Sequence, residues 1–241
     1  MATDSRAASL APTEARDRQP TEGVVAPPSS TVACEDRDFP EWHGGCRHAL
    51  VWAVDADIEG VREAVRDARD RLATVLLPRY RRQPHITLAY AGVVARPGAR
   101  PVDEPYSRTQ LGDDLARLRA LAQGPFEVAV GGWGTFPMVP YLHASAPELA
   151  AASSALTAGS PYVGGYVPHV TVGHYSVSRP LSEITRHIDG WAPPAAVVEV
   201  REWTLLAYET HDNAGPLTTV GRLSLADGSW SVEARIPGLD L

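Results

Sequence analysis

The chain has 241 residues and a formal charge of −7, and all 22 of its basic residues are arginine. The absence of lysine excludes P-loop nucleotide hydrolases, Schiff-base and pyridoxal-phosphate enzymes, and ligases that adenylylate their own lysine. The acid excess argues against a broad basic surface gripping long nucleic acid but leaves a small phosphate ligand open.

Residues 1–41 hold eight acids, four arginines and five prolines among Ser, Thr and Ala, with no apolar periodicity, and are expected to form a disordered acidic tail. Residues 42–241 then form the folded domain. Residues 48–54 (HALVWAV) suit a short buried strand, and 58–77 place Val61, Ala64, Val65, Ala68, Leu72, Val75 and Leu76 at helical spacing before Pro78. Residues 85–90 (HITLAY) read as a strand, 91–109 as a long loop, and 111–123 as a helix ending at Gly124-Pro125. A strand at 126–130 is expected to break at Gly131-Gly132-Trp133-Gly134. A strand at 139–144 and a helix at 146–156 follow. The rest reads as strand 169–175 (HVTVGHY), helix 181–188, and strands 197–208 and 218–225.

Only Cys34 and Cys46 are present, too few for a disulfide framework, which suggests a cytoplasmic protein. No secretory h-region and no run of about 18 apolar residues is found, so no membrane partner is expected. His43 and His48 lack ligand partners at metal spacing, and neither a metal nor a cofactor is implied.

Pro84-His85-Ile86-Thr87-Leu88-Ala89 recurs as Pro168-His169-Val170-Thr171-Val172-Gly173. Pro, His and Thr are kept, and the other changes are aliphatic for aliphatic or small for small. Side chains alternate along a strand, so His85 shares a face with Thr87, and His169 with Thr171. Ile86, Leu88 and Tyr90 would occupy the other face. Two facing imidazoles suit in-line displacement at phosphorus: a neutral histidine accepts a proton from the attacking oxygen, and a protonated one donates to the leaving oxygen. Threonine hydroxyls would donate to the non-bridging oxygens as their charge grows. No carboxylate lies near His169 in sequence, which suggests His169 as the base and His85 as the acid.

These paired H-x-T strands resemble the 2H phosphoesterases, and among them the 2′-5′ RNA ligase-like RNA 2′,3′-cyclic phosphodiesterases. The likeness extends to FEVAVGGWGTFP at 126–137 and to the closing hairpin at 200–225, including Asn213-Ala214-Gly215. It implies an α+β fold of two pseudo-twofold lobes, with two antiparallel sheets lining a central cleft and helices outside. It also implies His85 and His169 as the catalytic pair and Thr87 and Thr171 as phosphate ligands. The expected activity is opening of a 2′,3′-cyclic phosphate, on an RNA end or nucleotide, to a 2′-phosphate. Alternatives keep the chemistry on a cyclic oligonucleotide or an ADP-ribose cyclic phosphate, or make the chain a non-catalytic binding module.

Further substrate contacts are assigned to Arg82, in an arginine-rich, acid-free approach to the first motif, to Tyr175, to Tyr90, and to His174, which stands where many relatives carry arginine. The protein is expected to act as a monomer.

Overall fold

The computed structural model describes residues 28–95, 98, 105–158, 165–212 and 214–239. Much of the expected 91–109 loop, Asn213 and residues 1–27 therefore lie outside the described residues. The elements are α1 (Asp38–Trp42), β1 (His48–Asp55), α2 (Glu59–Arg71), β2 (His85–Val93), α3 (Arg108–Ala120), β3 (Phe126–Thr135) and β4 (Pro140–Ser145). These are followed by α4 (Pro147–Thr157), β5 (His169–Thr171), α5 (Leu181–Thr185), β6 (Ala196–Val200), β7 (Glu202–Glu209), β8 (Thr218–Ser224) and β9 (Trp230–Val232).

The strands join in one antiparallel sheet, in the order β6-β3-β4-β5-β2-β1-β7-β8-β9. The expected pair of separate sheets is thus a single sheet, because β2 and β5 are bridged at Ile86 and Val170. The expected strand at 197–208 is two strands, interrupted at Arg201. β6 is a sheet edge and β7 borders β1 in the other half, yet one residue separates them. Since consecutive Cα atoms are only about 3.8 Å apart, the sheet must curl to set β6 and β7 end to end.

One face carries the main core. The apolar stripe of α2 (Val61, Ala64, Val65, Ala68) and Leu111, Leu115 and Leu118 of α3 pack with Leu149 and Ala152 of α4 and Ile184 of α5. Against them lie Trp52, Ile86, Leu88, Leu142 and Val170 from the strands and Val172 just beyond β5. α3 is fixed at its start by a capping box, in which Ser107 accepts from the Gln110 amide and the Gln110 side chain accepts from the Ser107 amide. The opposite face carries a smaller cluster, including Val51, Ala53, Leu206 and Tyr208, with Phe39 of α1 packed on it.

Two expectations about β-structure fail at bulges. β3 runs through Gly131-Gly132-Trp133-Gly134 instead of ending there, because Gly132 takes a φ of 64° and absorbs one residue of register against β4. In β2, Ala53 pairs with Thr87 but Trp52 pairs with Ala89, so Leu88 is skipped. Tyr90 then stands opposite Val51 and shares the face of His85 and Thr87.

The tail expected over 1–41 is structured where it is described. The Thr31 amide donates to the Arg179 carbonyl at 2.8 Å, the Val32 amide to Pro137 at 2.7 Å and the Cys34 amide to Tyr175 at 2.8 Å. The Thr31 hydroxyl donates to the Val177 carbonyl at 2.8 Å. Residues 29–35 thus form a strap along the segment that follows β5, and α1 continues it across the face opposite helices α2–α5.

Candidate active site

Ile86 and Val170, Cα partners across the antiparallel β2–β5 pair, are both fully buried on the helix-covered side. Alternation turns His85, Thr87, His169 and Thr171 to the other side. Continuing the register by one residue sets His85 opposite Thr171 and Thr87 opposite His169. On the outer flank of β5, Tyr141 pairs with Thr171 and His143 with His169; beyond β2, Ala53 pairs with Thr87 and Asp55 with His85.

The two motif histidines are held in the same way. His85 Nδ1 bonds the Gln83 carbonyl at 2.8 Å, and His169 Nδ1 bonds the Val167 carbonyl at 2.7 Å. A carbonyl oxygen only accepts, so each Nδ1 carries the proton. Each Nε2 is therefore the nitrogen that gains or loses a proton in chemistry. These carbonyl bonds favour the charged rings, but burial outweighs them. His85 is pushed down to about 4, chiefly by burial, with Arg82 and His169 adding to the effect. His169 is lowered too, first by burial and then by His143.

The three arginines before the first motif differ in their partners. Arg79 bonds Asp36, just after the strap, and Arg81 bonds Asp212 at 3.1 Å. Arg82 instead lies over the Tyr208 ring at 4.6 Å and the Phe39 ring at 5.4 Å. Its Nε and Nη2 are buried without a hydrogen-bond partner among the described residues. The cation is close enough to both His85 and His174 to disfavour their protonation.

The remaining expected contacts divide. Tyr90 is 40% exposed, with its ring 5.8 Å from that of His43. His174 is only 6% exposed, edge-on to Phe39 and Tyr80 at 5.7 and 5.3 Å, with Nδ1 unpartnered among the described residues. Burial, then Arg82 and Arg69, lower it to about 3. Tyr175, expected as a substrate contact, is instead enclosed in the fold. Its side chain is 0% exposed and its hydroxyl is bonded to that of Thr135 at 2.9 Å, while its backbone amide donates to Met138 and its carbonyl accepts from Cys34. It ties three segments together, a role set by burial that its place in the sequence beyond β5 does not disclose.

Several neighbours were not assigned from sequence. Phe136 and Tyr141 lie 5.1 and 5.2 Å from the His169 ring and 4.6 Å from each other. Gly134 makes room for them: a Cβ there would fall 2.6 Å from Tyr141 Cζ. Gly134-Thr135-Phe136, at the end of the 126–137 stretch, thus leads into an aromatic wall for His169, and its glycine was the available signal. Tyr166, from the segment before β5, donates to the Thr87 carbonyl at 3.0 Å and ties the two motifs. Among the described residues no group of three or more His, Cys, Asp or Glu is arranged to hold a metal ion, and no helix is long and apolar enough to cross a membrane.

An α+β protein with one large antiparallel sheet, and with two H-x-T motifs on adjacent strands of its less covered face, has the organisation of a two-histidine phosphoesterase. The sequence profile of the 2′-5′ RNA ligase superfamily matches residues 53–212. The chain belongs to this superfamily, a branch of the 2H phosphoesterases. No curated protein matches its sequence significantly. Among solved structures, it is similar to TT0787 of Thermus thermophilus with 19% identity and a TM-score of 0.47, covering 74% of this chain and 99% of that one. It is also similar to E. coli LigT complexed with ATP, with 18% identity and a TM-score of 0.46 over 75% of this chain and 99% of that one.

Proposed function

We propose that the protein is a metal-independent cyclic phosphodiesterase that opens 2′,3′-cyclic phosphates, on RNA ends or nucleotides, to 2′-phosphates. The observation that carries this reading is the matched pair of imidazoles, each with Nδ1 donated to a carbonyl two residues upstream and each opposite the other motif's threonine in the antiparallel register. The matching β1-α2-β2 and β4-α4-β5 units, each ending in the motif strand that borders the other, support a duplicated origin for the two halves.

His85 is the better base and His169 the better acid, the reverse of the expectation from sequence. Burial, and then the permanent charge of Arg82, hold the His85 imidazole neutral, whereas His169, also lowered by burial, faces His143 in place of an arginine. In the forward reaction, His85 Nε2 accepts a proton from water as its oxygen bonds to phosphorus. The P–O3′ bond breaks in line, and the His169 Nε2 proton passes to the leaving 3′ oxygen. The hydroxyls of Thr87 and Thr171 and the Arg82 guanidinium face the growing charge on the non-bridging oxygens. The expected product is a 2′-phosphomonoester.

Incubation with 2′,3′-cyclic nucleotides and short cyclic-phosphate RNAs in EDTA, with the phosphate position of the product read by NMR, tests this directly. Accumulation of the 2′-phosphate is the expected result. No opening of any substrate, or a 3′-phosphate product, would overturn the reading.

A further inference from the structure

An arginine that is to bind an anion needs its charge intact and its orientation fixed, and a carboxylate partner supplies the second only by sacrificing the first. Arg79 and Arg81 have such partners; Arg82 has aromatic rings. The rings are themselves fixed. His43 Nδ1 donates to the Phe39 carbonyl, so its Nε2 accepts from the Tyr208 hydroxyl at 2.9 Å. Tyr208 belongs to β7, whereas Phe39 and His43 lie at the N-terminal strap and α1, before residue 53 where the superfamily match begins.

We propose that Phe39 and the Tyr208–His43 pair are positioning residues that clamp Arg82 by stacking, and that the segment from residue 29 to 43 thereby completes an anion site which the superfamily region alone leaves unformed. The inference rests on the proposed phosphodiesterase reading for its ligand, a phosphate group, but not for its geometry. The Phe39 and Tyr208 rings meet edge-to-face, at 81° and 6.1 Å between centroids, and Arg82 sits in the corner they form with no competing carboxylate; two of its donors, Nε and Nη2, are buried without a protein acceptor among the described residues. The strap is anchored independently of Arg82, through Thr31, Val32 and Cys34, and Arg79 ties Asp36 beside it. Phe39 is therefore delivered to the guanidinium by a segment with its own hold on the domain. Trp42, next to Phe39 at 5.1 Å between rings, and Tyr90, beside His43, continue the aromatic surface to solvent.

The test is a double-mutant cycle on inorganic phosphate binding by the full chain, measured by calorimetry in wild type, Phe39→Leu, Arg82→Met and the double variant. Leucine keeps apolar bulk and removes the π face. Arg82→Met is expected to weaken phosphate by tenfold or more, Phe39→Leu by roughly fivefold to tenfold, and Phe39→Leu in the Arg82→Met background not at all. Tyr208→Leu should behave like Phe39→Leu, while Tyr208→Phe, which keeps the ring and loses the bond to His43, should lie between it and wild type. In turnover of a cyclic nucleotide, Phe39→Leu should raise KM by a similar factor and lower kcat as well, because Arg82 also faces the charge that grows on the non-bridging oxygens. Independent, multiplying losses, an unaffected Phe39→Leu, or wild-type protein that binds no phosphate would each overturn the proposal. Coupling between Phe39 and Arg82 in a protein that opens no cyclic phosphate would instead uphold the clamp and refute the phosphodiesterase reading.

Discussion

The two motif histidines share one backbone device and differ in everything that surrounds them. His85 opens a nine-residue strand, next to a stacked arginine and opposite Thr171. His169 opens a three-residue strand walled by Phe136 and Tyr141, with His143 of β4 as its Cα partner. The repeat fixes which nitrogen is free in each ring, and the asymmetry around the repeat sets how strongly each ring is held neutral. In the proposed mechanism, the two like motifs thus take different roles through residues that are not themselves repeated.

The largest effect should come from removing either member. His85→Ala and His169→Ala are each expected to lower kcat by about 10²- to 10⁴-fold, the usual size of a general acid or base contribution. The difference between them appears on a substrate with a nitrophenolate leaving group, which departs without a proton. His169→Ala should then recover most of the lost rate and His85→Ala should not. Recovery in His85→Ala instead would restore the assignment read from sequence and reverse the roles derived from Arg82.

Gly134→Ala attacks one side of the comparison. The added methyl would meet the Tyr141 ring at 2.6 Å, so the ring must move off the position it holds beside His169. Overpacking of this kind costs about 1–3 kcal/mol of stability, and a displaced wall costs roughly tenfold or more in kcat through misplacement of the imidazole. The Arg82 side should be untouched, with phosphate affinity within about twofold of wild type. Equal kcat in Gly134→Ala and wild type would show that the aromatic wall does not orient His169.

The parts of this site that were legible in the sequence are those encoded by local pattern. His85, Thr87, His169 and Thr171 could be paired because a two-residue strand period and an internal repeat both survive in the linear order. Tyr90 was placed on the wrong face because a bulge at Leu88 shifts the alternation, and nothing in HITLAY marks it. Phe39 was hidden because the strap has no periodicity: it is held by backbone amides donating to carbonyls of the 137–179 region, which any sequence can do. The separation of Arg82 from Arg79 and Arg81 is a matter of which acids and rings fold near each, and adjacency in sequence makes the three look alike.

Arg82→Met should move the acidic limb of the kcat/KM profile, which reports the free enzyme. His85 must be neutral to act as base, so activity rises as pH climbs through its pKa, near 4. Loss of the neighbouring cation removes one cause of that depression, and the limb should shift to higher pH, toward the ordinary value of about 6.5. His169→Ala on the nitrophenolate substrate provides the cleanest profile, because only the base then titrates. A limb that stays in place would break the link between Arg82 and His85.

The smallest expected effect is on stability, and it belongs to His174, the residue nearest in kind to the motif histidines but outside the chemistry. Burial, with Arg82 and Arg69, lowers it to about 3 in the folded chain, against about 6.5 when unfolded. Between these values the unfolded chain binds a proton that the folded chain refuses. Its contribution is therefore complete above about pH 6.5 and is lost as pH falls toward 3, with a slope approaching about 1.4 kcal/mol per pH unit for one group. His174→Phe keeps a ring between Phe39 and Tyr80 and cannot titrate. Melting temperatures measured from pH 7.5 to 4 should fall less steeply in His174→Phe than in wild type, with the residual slope shared by the other histidines that folding holds neutral, His85, His169 and His48 among them. Parallel melting curves would mean that His174 takes up its proton in the folded state as readily as in the unfolded one.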